Sequence, residues 1–100
     1  MNRDFLLNII FDAIKNINEE RESEDQIPIH EDIVLMGADA LIDSITLVTL
    51  IVDVETEVSL KTGIDIYLTN DDAISQDVSP FISPKNLVNY MIKIIESKND

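Results

Sequence analysis

Asp43 and Ser44 are followed at once by Ile45-Thr46-Leu47-Val48-Thr49-Leu50-Ile51-Val52-Asp53-Val54-Glu55-Thr56-Glu57-Val58, so a carboxylate and a hydroxyl stand together at the head of an apolar segment. Leu47, Leu50, Ile51, Val54 and Val58 recur at helical spacing and suffice for one buried stripe. Ile45, Val48 and Val52 make a second stripe on another face, starting beside the Ser44 hydroxyl. A small domain has little use for that second stripe unless a partner docks there or another element covers it. The chemistry open to Ser44 is that of a nucleophile whose base comes from outside, because this chain places no proton acceptor for it. The plainer alternative is that Ser44 and Asp43 are ordinary helix caps.

The elements that must hold this pair follow from the rest of the pattern. Phe5, Leu6, Ile9, Ile10, Ala13, Ile14 and Ile17 recur at three- and four-residue steps and predict an amphipathic helix over residues 3–20. The charged stretch from Glu19 to Asp25 ends it, and Ile27-Pro28-Ile29 reads as extended, since a residue before proline avoids the helical region. A long loop follows, with a helical turn expected at 32–36 and Gly37 as its stop. The second helix covers 44–62 and is closed by Gly63. Ile64-Asp65-Ile66-Tyr67-Leu68 alternates like a strand but has no partner strand, so it reads as an extended linker. Thr69 or Asn70 would cap a short helix through Ser75, with Asp71 and Asp72 in its first turn. Ser83-Pro84 opens a last helix, whose stripe is Leu87, Val88, Met91, Ile94 and Ile95. The expectation is one all-α domain over residues 1–100, a bundle of three main helices and one short one.

Composition sets the class of function. A chain of 100 residues that is 45% hydrophobic has the material for one real core, and 5% aromatic content makes that core aliphatic. The formal net charge of −13 argues against nucleic acid and anionic membranes as partners, since both need cationic surface. The charge is also segregated. Between Glu22 and Pro84 the only base is Lys61, whereas Arg3, Lys15, Arg21, Lys85, Lys93 and Lys98 lie in the terminal segments. Such asymmetry gives one end a negative field able to steer basic partners. No cysteine is present, so there is neither a disulfide framework nor a thiolate metal site. Without a long apolar run or a basic-then-apolar leader, a cytoplasmic protein with no membrane insertion is expected. His30 stands alone beside Glu31 and Asp32 and reads as a solvated side chain, with no metal site around it. Tyr67, Tyr90, Phe5, Phe11 and Phe81 read as packing residues.

Taken together, Asp43, Ser44, Ile45, Val48, Leu50, Ile51, Val54 and Glu55 resemble the signature of the acyl carrier proteins. In that family Asp-Ser-aliphatic opens the second helix, and Val, Leu, two further aliphatics and Glu follow at these steps. The likeness extends more weakly from Phe5 to Ile95, and Ser79-Pro80-Phe81-Ile82-Ser83-Pro84 is similar to a subgroup of stand-alone bacterial carriers with an extended third region. The resemblance implies that Ser44 carries 4′-phosphopantetheine, transferred from coenzyme A by a magnesium-dependent phosphopantetheinyl transferase, with Asp43 as one carboxylate toward the metal. The arm would hold acyl intermediates as thioesters for lipid, fatty-acid or specialised-metabolite biosynthesis. The chain itself would then be a monomeric carrier, not an enzyme, visited by acyl-loading and acyl-transferring or condensing enzymes.

On the same resemblance Ile45, Val48 and Val52 form the partner-binding surface, with Glu55 as the acidic contact at its far end. Thr46 and Thr49 stand where the family has acids, so recognition would lean on apolar and hydroxyl contacts with weak salt dependence. Asp39, Asp71 and Asp72 on flanking loops are the other candidate charges. Gly37-Ala38-Asp39-Ala40-Leu41 imitates the attachment site four residues early, but Ala40 has no hydroxyl. Two further readings stay open. Leu41-Ile42-Asp43-Ser44 also resembles aminoacyl or peptidyl carriers, including the D-alanine type. From another class, an acidic helical inhibitor or immunity-type binding protein fits the charge and the helix count equally well.

Overall fold

Asn2 starts the first helix: its side-chain oxygen accepts the Phe5 amide at 2.8 Å, and α1 runs over Arg3–Asn18. The computed structural model describes residues 2–68 and 79–98. Helix α1 buries Leu6, Leu7, Ile9, Ile10, Ala13 and Ile14, an apolar face wide enough to pack against both other helices. It stops two residues before the expected end. There the Glu20 and Arg21 amides bond to the carbonyls of Ile17 and Asn18, three residues back, and tighten the chain out of the helix. A single 3-10 turn, Ser23–Asp25, follows.

Helix α2 occupies Ser44–Thr62, the expected span. Ten of its nineteen residues are β-branched, a composition that lowers intrinsic helix propensity. The helix is therefore held by burial of Leu50, Ile51, Val54 and Val58 against α1. Gly63 ends it in the left-handed region at φ 72°, its amide returning to the Ser59 carbonyl. A side chain there would be strained, which is why glycine closes this helix.

Helix α3 spans Pro84–Lys98 and opens as the sequence predicts, with the Ser83 hydroxyl accepting the Asn86 amide at 3.1 Å. It buries Leu87, Val88, Tyr90, Met91 and Ile95 against α1. Among the described residues the fold is all-helical, with no strand, and no helix is long and apolar enough to cross a membrane. The expected short helix after Thr69 lies outside the described residues.

The loops are tied to one another rather than to a sheet. The Leu35 amide donates to the Ile82 carbonyl at 2.8 Å, and the Lys85 amide donates to the Glu31 carbonyl at 3.0 Å. Arg3 adds a half-exposed ion pair to Glu31 at 3.3 Å. These ties correct one expectation: residues 33–35 form no helical turn, because their backbone is held extended against the 79–83 loop. Gly37, at φ 104°, turns the chain instead, and the Ala40 amide closes that turn on the Gly37 carbonyl. Residues 64–68 alternate as expected without forming a strand: Ile66 and Leu68 are buried, while Asp65 and Tyr67 face out. Tyr67, 61% exposed, is thus not the packing residue the sequence suggests.

Candidate functional site

Buried Ile42 and Leu35 anchor the loop that delivers the chain to α2, and the Leu41 amide fastens it to the Val34 carbonyl at 2.9 Å. Asp43 then adopts an extended backbone and caps the helix: its Oδ1 accepts the Thr46 amide at 2.8 Å. Ser44 is the first helical residue. It is exposed, and among the described residues its hydroxyl makes no hydrogen bond. The two side chains therefore divide their roles. Asp43 takes the capping work that either could have done, and Ser44 is left with an uncommitted nucleophilic oxygen. The amides of Ser44 and Ile45 have no carbonyl partner inside the helix, so the same tip favours an anion.

The Thr46 hydroxyl, and then its amide, hold the Asp43 carboxyl below the usual carboxylate range, with a smaller contribution from Arg21. A carboxyl lowered in the folded state stabilises the fold above its unfolded value and loses that contribution as pH falls through the folded value. Wild type is thus expected to exceed Asp43→Asn in thermal midpoint near neutral pH. The difference should close as pH drops below the ordinary aspartate value. A midpoint difference that stays constant across an acid titration would contradict the capping role of the charge.

The second stripe is open. Ile45, Val48 and Val52 are 77%, 57% and 52% exposed, and Leu41 adds apolar surface beside them. No other described element covers them. The two threonines in this region behave differently from the expectation of hydroxyl contacts. Thr49 donates to the Ile45 carbonyl at 3.1 Å and Thr56 to the Val52 carbonyl at 2.9 Å. With their hydroxyls turned onto the helix backbone, they offer mainly methyl groups to a visitor. Glu55 is half-buried and its carboxylate accepts the Leu68 amide at 3.4 Å, so it braces the linker after α2 as well as bordering the stripe.

The structure thus gathers Asp43, Ser44, Ile45, Val48 and Val52 on one exposed end and flank of α2. Asp39 is exposed in the preceding turn, and Asp71 and Asp72 fall outside the described residues. Sequence reasoning missed Leu60, which is 74% exposed and continues the stripe to the far end of the helix. Its four-residue step from Thr56 is the signal that could have found it. Comparison of the chain with protein-family models, with curated proteins and with solved structures gives no match in any of the three.

Proposed function

We propose that this chain is an acyl carrier protein, a cytoplasmic tether on which Ser44 bears 4′-phosphopantetheine and acyl groups ride as thioesters. The observation that carries the reading is the division of labour at the head of α2: Asp43 caps the helix, and the exposed Ser44 hydroxyl is free. A serine kept as a cap would have its oxygen on a backbone amide. The fit to a phosphodiester is supported by the unpaired first-turn amides and the helix macrodipole.

In the proposed modification the Ser44 oxygen forms the new ester bond to phosphorus as the pyrophosphate bridge of coenzyme A breaks and its nucleotide half leaves. The serine proton passes to a base on the transferase, since no acid or histidine is bonded to Ser44 here. Asp43 uses Oδ1 for the cap, which leaves Oδ2 to face a magnesium ion brought by coenzyme A and the transferase. Ile45, Val48 and Val52 would seat against an apolar patch on each visiting enzyme. The absence of cysteine leaves the arm's thiol without a rival for thioester exchange.

Intact-mass measurement after incubation with coenzyme A and a broad-specificity phosphopantetheinyl transferase tests the reading. One phosphopantetheine mass is expected on the wild type and none on Ser44→Ala. An unmodified wild type refutes it. Loading by an adenylating enzyme, rather than from acyl- or malonyl-coenzyme A, would move the cargo class to amino acids.

A further inference from the structure

We infer that the outer face of α2 is also a contact between two copies of this chain, packed antiparallel about a twofold axis at Val52. The strip that faces out steps through Ile45, Thr49, Val52, Thr56 and Leu60, a span of about 22 Å at 1.5 Å per residue. Read from either end it has the same order: aliphatic, threonine, valine, threonine, aliphatic. A twofold contact pairs a surface with itself, so a strip that reads alike in both directions is what it requires. Ile45 of one copy lies against Leu60 of the other, threonine methyls meet threonine methyls, and Val52 meets its own equivalent. Antiparallel packing also sets each helix N-terminus beside the other's C-terminus, which favours the two macrodipoles.

The strip is free of charge in a chain of net charge −13. Its bordering acids are turned to their own chain. Glu55 holds the Leu68 amide, and Asp53 is half-buried in the groove that Asp12, Lys15 and Glu19 of α1 also line. The two ends of the strip are complementary. At the Ile45 end a shallow depression is lined by Ile17, Glu20, Arg21 and Thr49, so a base stands there. At the Leu60 end a second depression is lined by Ile66, Tyr67, Glu55 and Asp65, and the Ser59 hydroxyl fixes Asp65 at 2.7 Å. The antiparallel arrangement brings Arg21 of each copy to Asp65 of the other, twice by symmetry. One helix face offers less than the about 800 Å² per partner of a standard interface, so the dimer is weak and concentration-dependent. Dimerisation covers Ile45, Val48 and Val52, so visiting enzymes must compete for that flank.

Sedimentation equilibrium from micromolar to millimolar chain, at low and at moderate salt, tests this. The mass should rise from one copy toward two, and further at moderate salt, where repulsion between two strongly anionic copies is screened. Val52→Asp sets two carboxylates face to face at the axis and should return a monomer with unchanged helical circular dichroism. Arg21→Glu and Asp65→Arg should each weaken the dimer about tenfold, and the double variant should recover most of that loss. A monomeric mass at every concentration overturns the inference, as does a dimer indifferent to Val52→Asp or a charge swap without recovery. Leu60→Asp separates this contact from the carrier reading: it should weaken the dimer while leaving modification of Ser44 intact.

Discussion

Asn18→Ala is expected to destabilise the fold by about 2–4 kcal/mol, more than any other polar truncation among the described residues. Asn18 is the one polar residue among those that are buried, 8% exposed at the end of α1. Its amide nitrogen donates to the Ile27 carbonyl at 3.0 Å, and its oxygen accepts the Ile27 amide at 2.7 Å. Both backbone groups of a buried residue are thus satisfied by one side chain. Truncation removes two hydrogen bonds and strands a buried donor and a buried acceptor, and stranding is the larger penalty. Asn18→Asp should be nearly as harmful, since it keeps the acceptor but loses the donor and sets a charge against a carbonyl. Asn16→Ala, two residues away and exposed, should stay within about 0.5 kcal/mol of wild type. Urea denaturation midpoints check all three, and a loss below about 1 kcal/mol for Asn18→Ala would remove the clamp from the account.

The clamp matters to the site because residue 27 begins the long loop that ends at Asp43. That loop has no strand or helix of its own between Gln26 and Asp43, so its course is set by a few fixed points. Asn18 holds one end, the Leu35 and Lys85 amides hold the middle to the 79–85 segment, and buried Ile42 holds the last residue before the cap. Where Ser44 stands is thus decided partly by an asparagine twenty-six residues earlier in the chain.

What could be read from the sequence was what depends on near neighbours. The start and stop of α2 follow from an aspartate cap and a glycine in the left-handed region, and the start of α3 follows from a serine followed by proline. Those are local rules, and the chain obeys them. Asn18 was not legible, because its partner is nine residues away across a turn and its position on the apolar face of α1 looks like an interruption. Phe5 was placed in the α1 core by periodicity, but it lies in the first turn, beyond the reach of the other helices, and is 38% exposed. The extended course of 33–35 was missed for the same reason as Asn18: its hydrogen-bond partner, Ile82, is supplied by a distant loop. At the candidate site, the spacing located the open flank, whereas the choice between Asp43 and Ser44 as the cap needed coordinates. Both residue types cap well, and only geometry shows which one does.

The two faces of α2 are expected to answer mutation in opposite ways. Leu50 is fully buried against α1, and Leu50→Ala should cost about 2–5 kcal/mol through lost transfer energy and the cavity left behind. Ile45 and Val52 face out, so Ile45→Ala and Val52→Ala should fall within about 0.5 kcal/mol of wild type, as for surface positions without partners. Because α2 is rich in β-branched residues, alanine on its outer face can even raise stability slightly through helix propensity. The same outer variants should weaken whatever docks on that flank, so stability and binding separate cleanly between the two stripes. Thermal or urea midpoints for Leu50→Ala, Ile45→Ala and Val52→Ala, each paired with the transferase reaction at Ser44, check the division. If Ile45→Ala proved as destabilising as Leu50→Ala, the outer stripe would be covered in solution by the chain's own residues. A free flank beside the serine would then no longer be available to any partner.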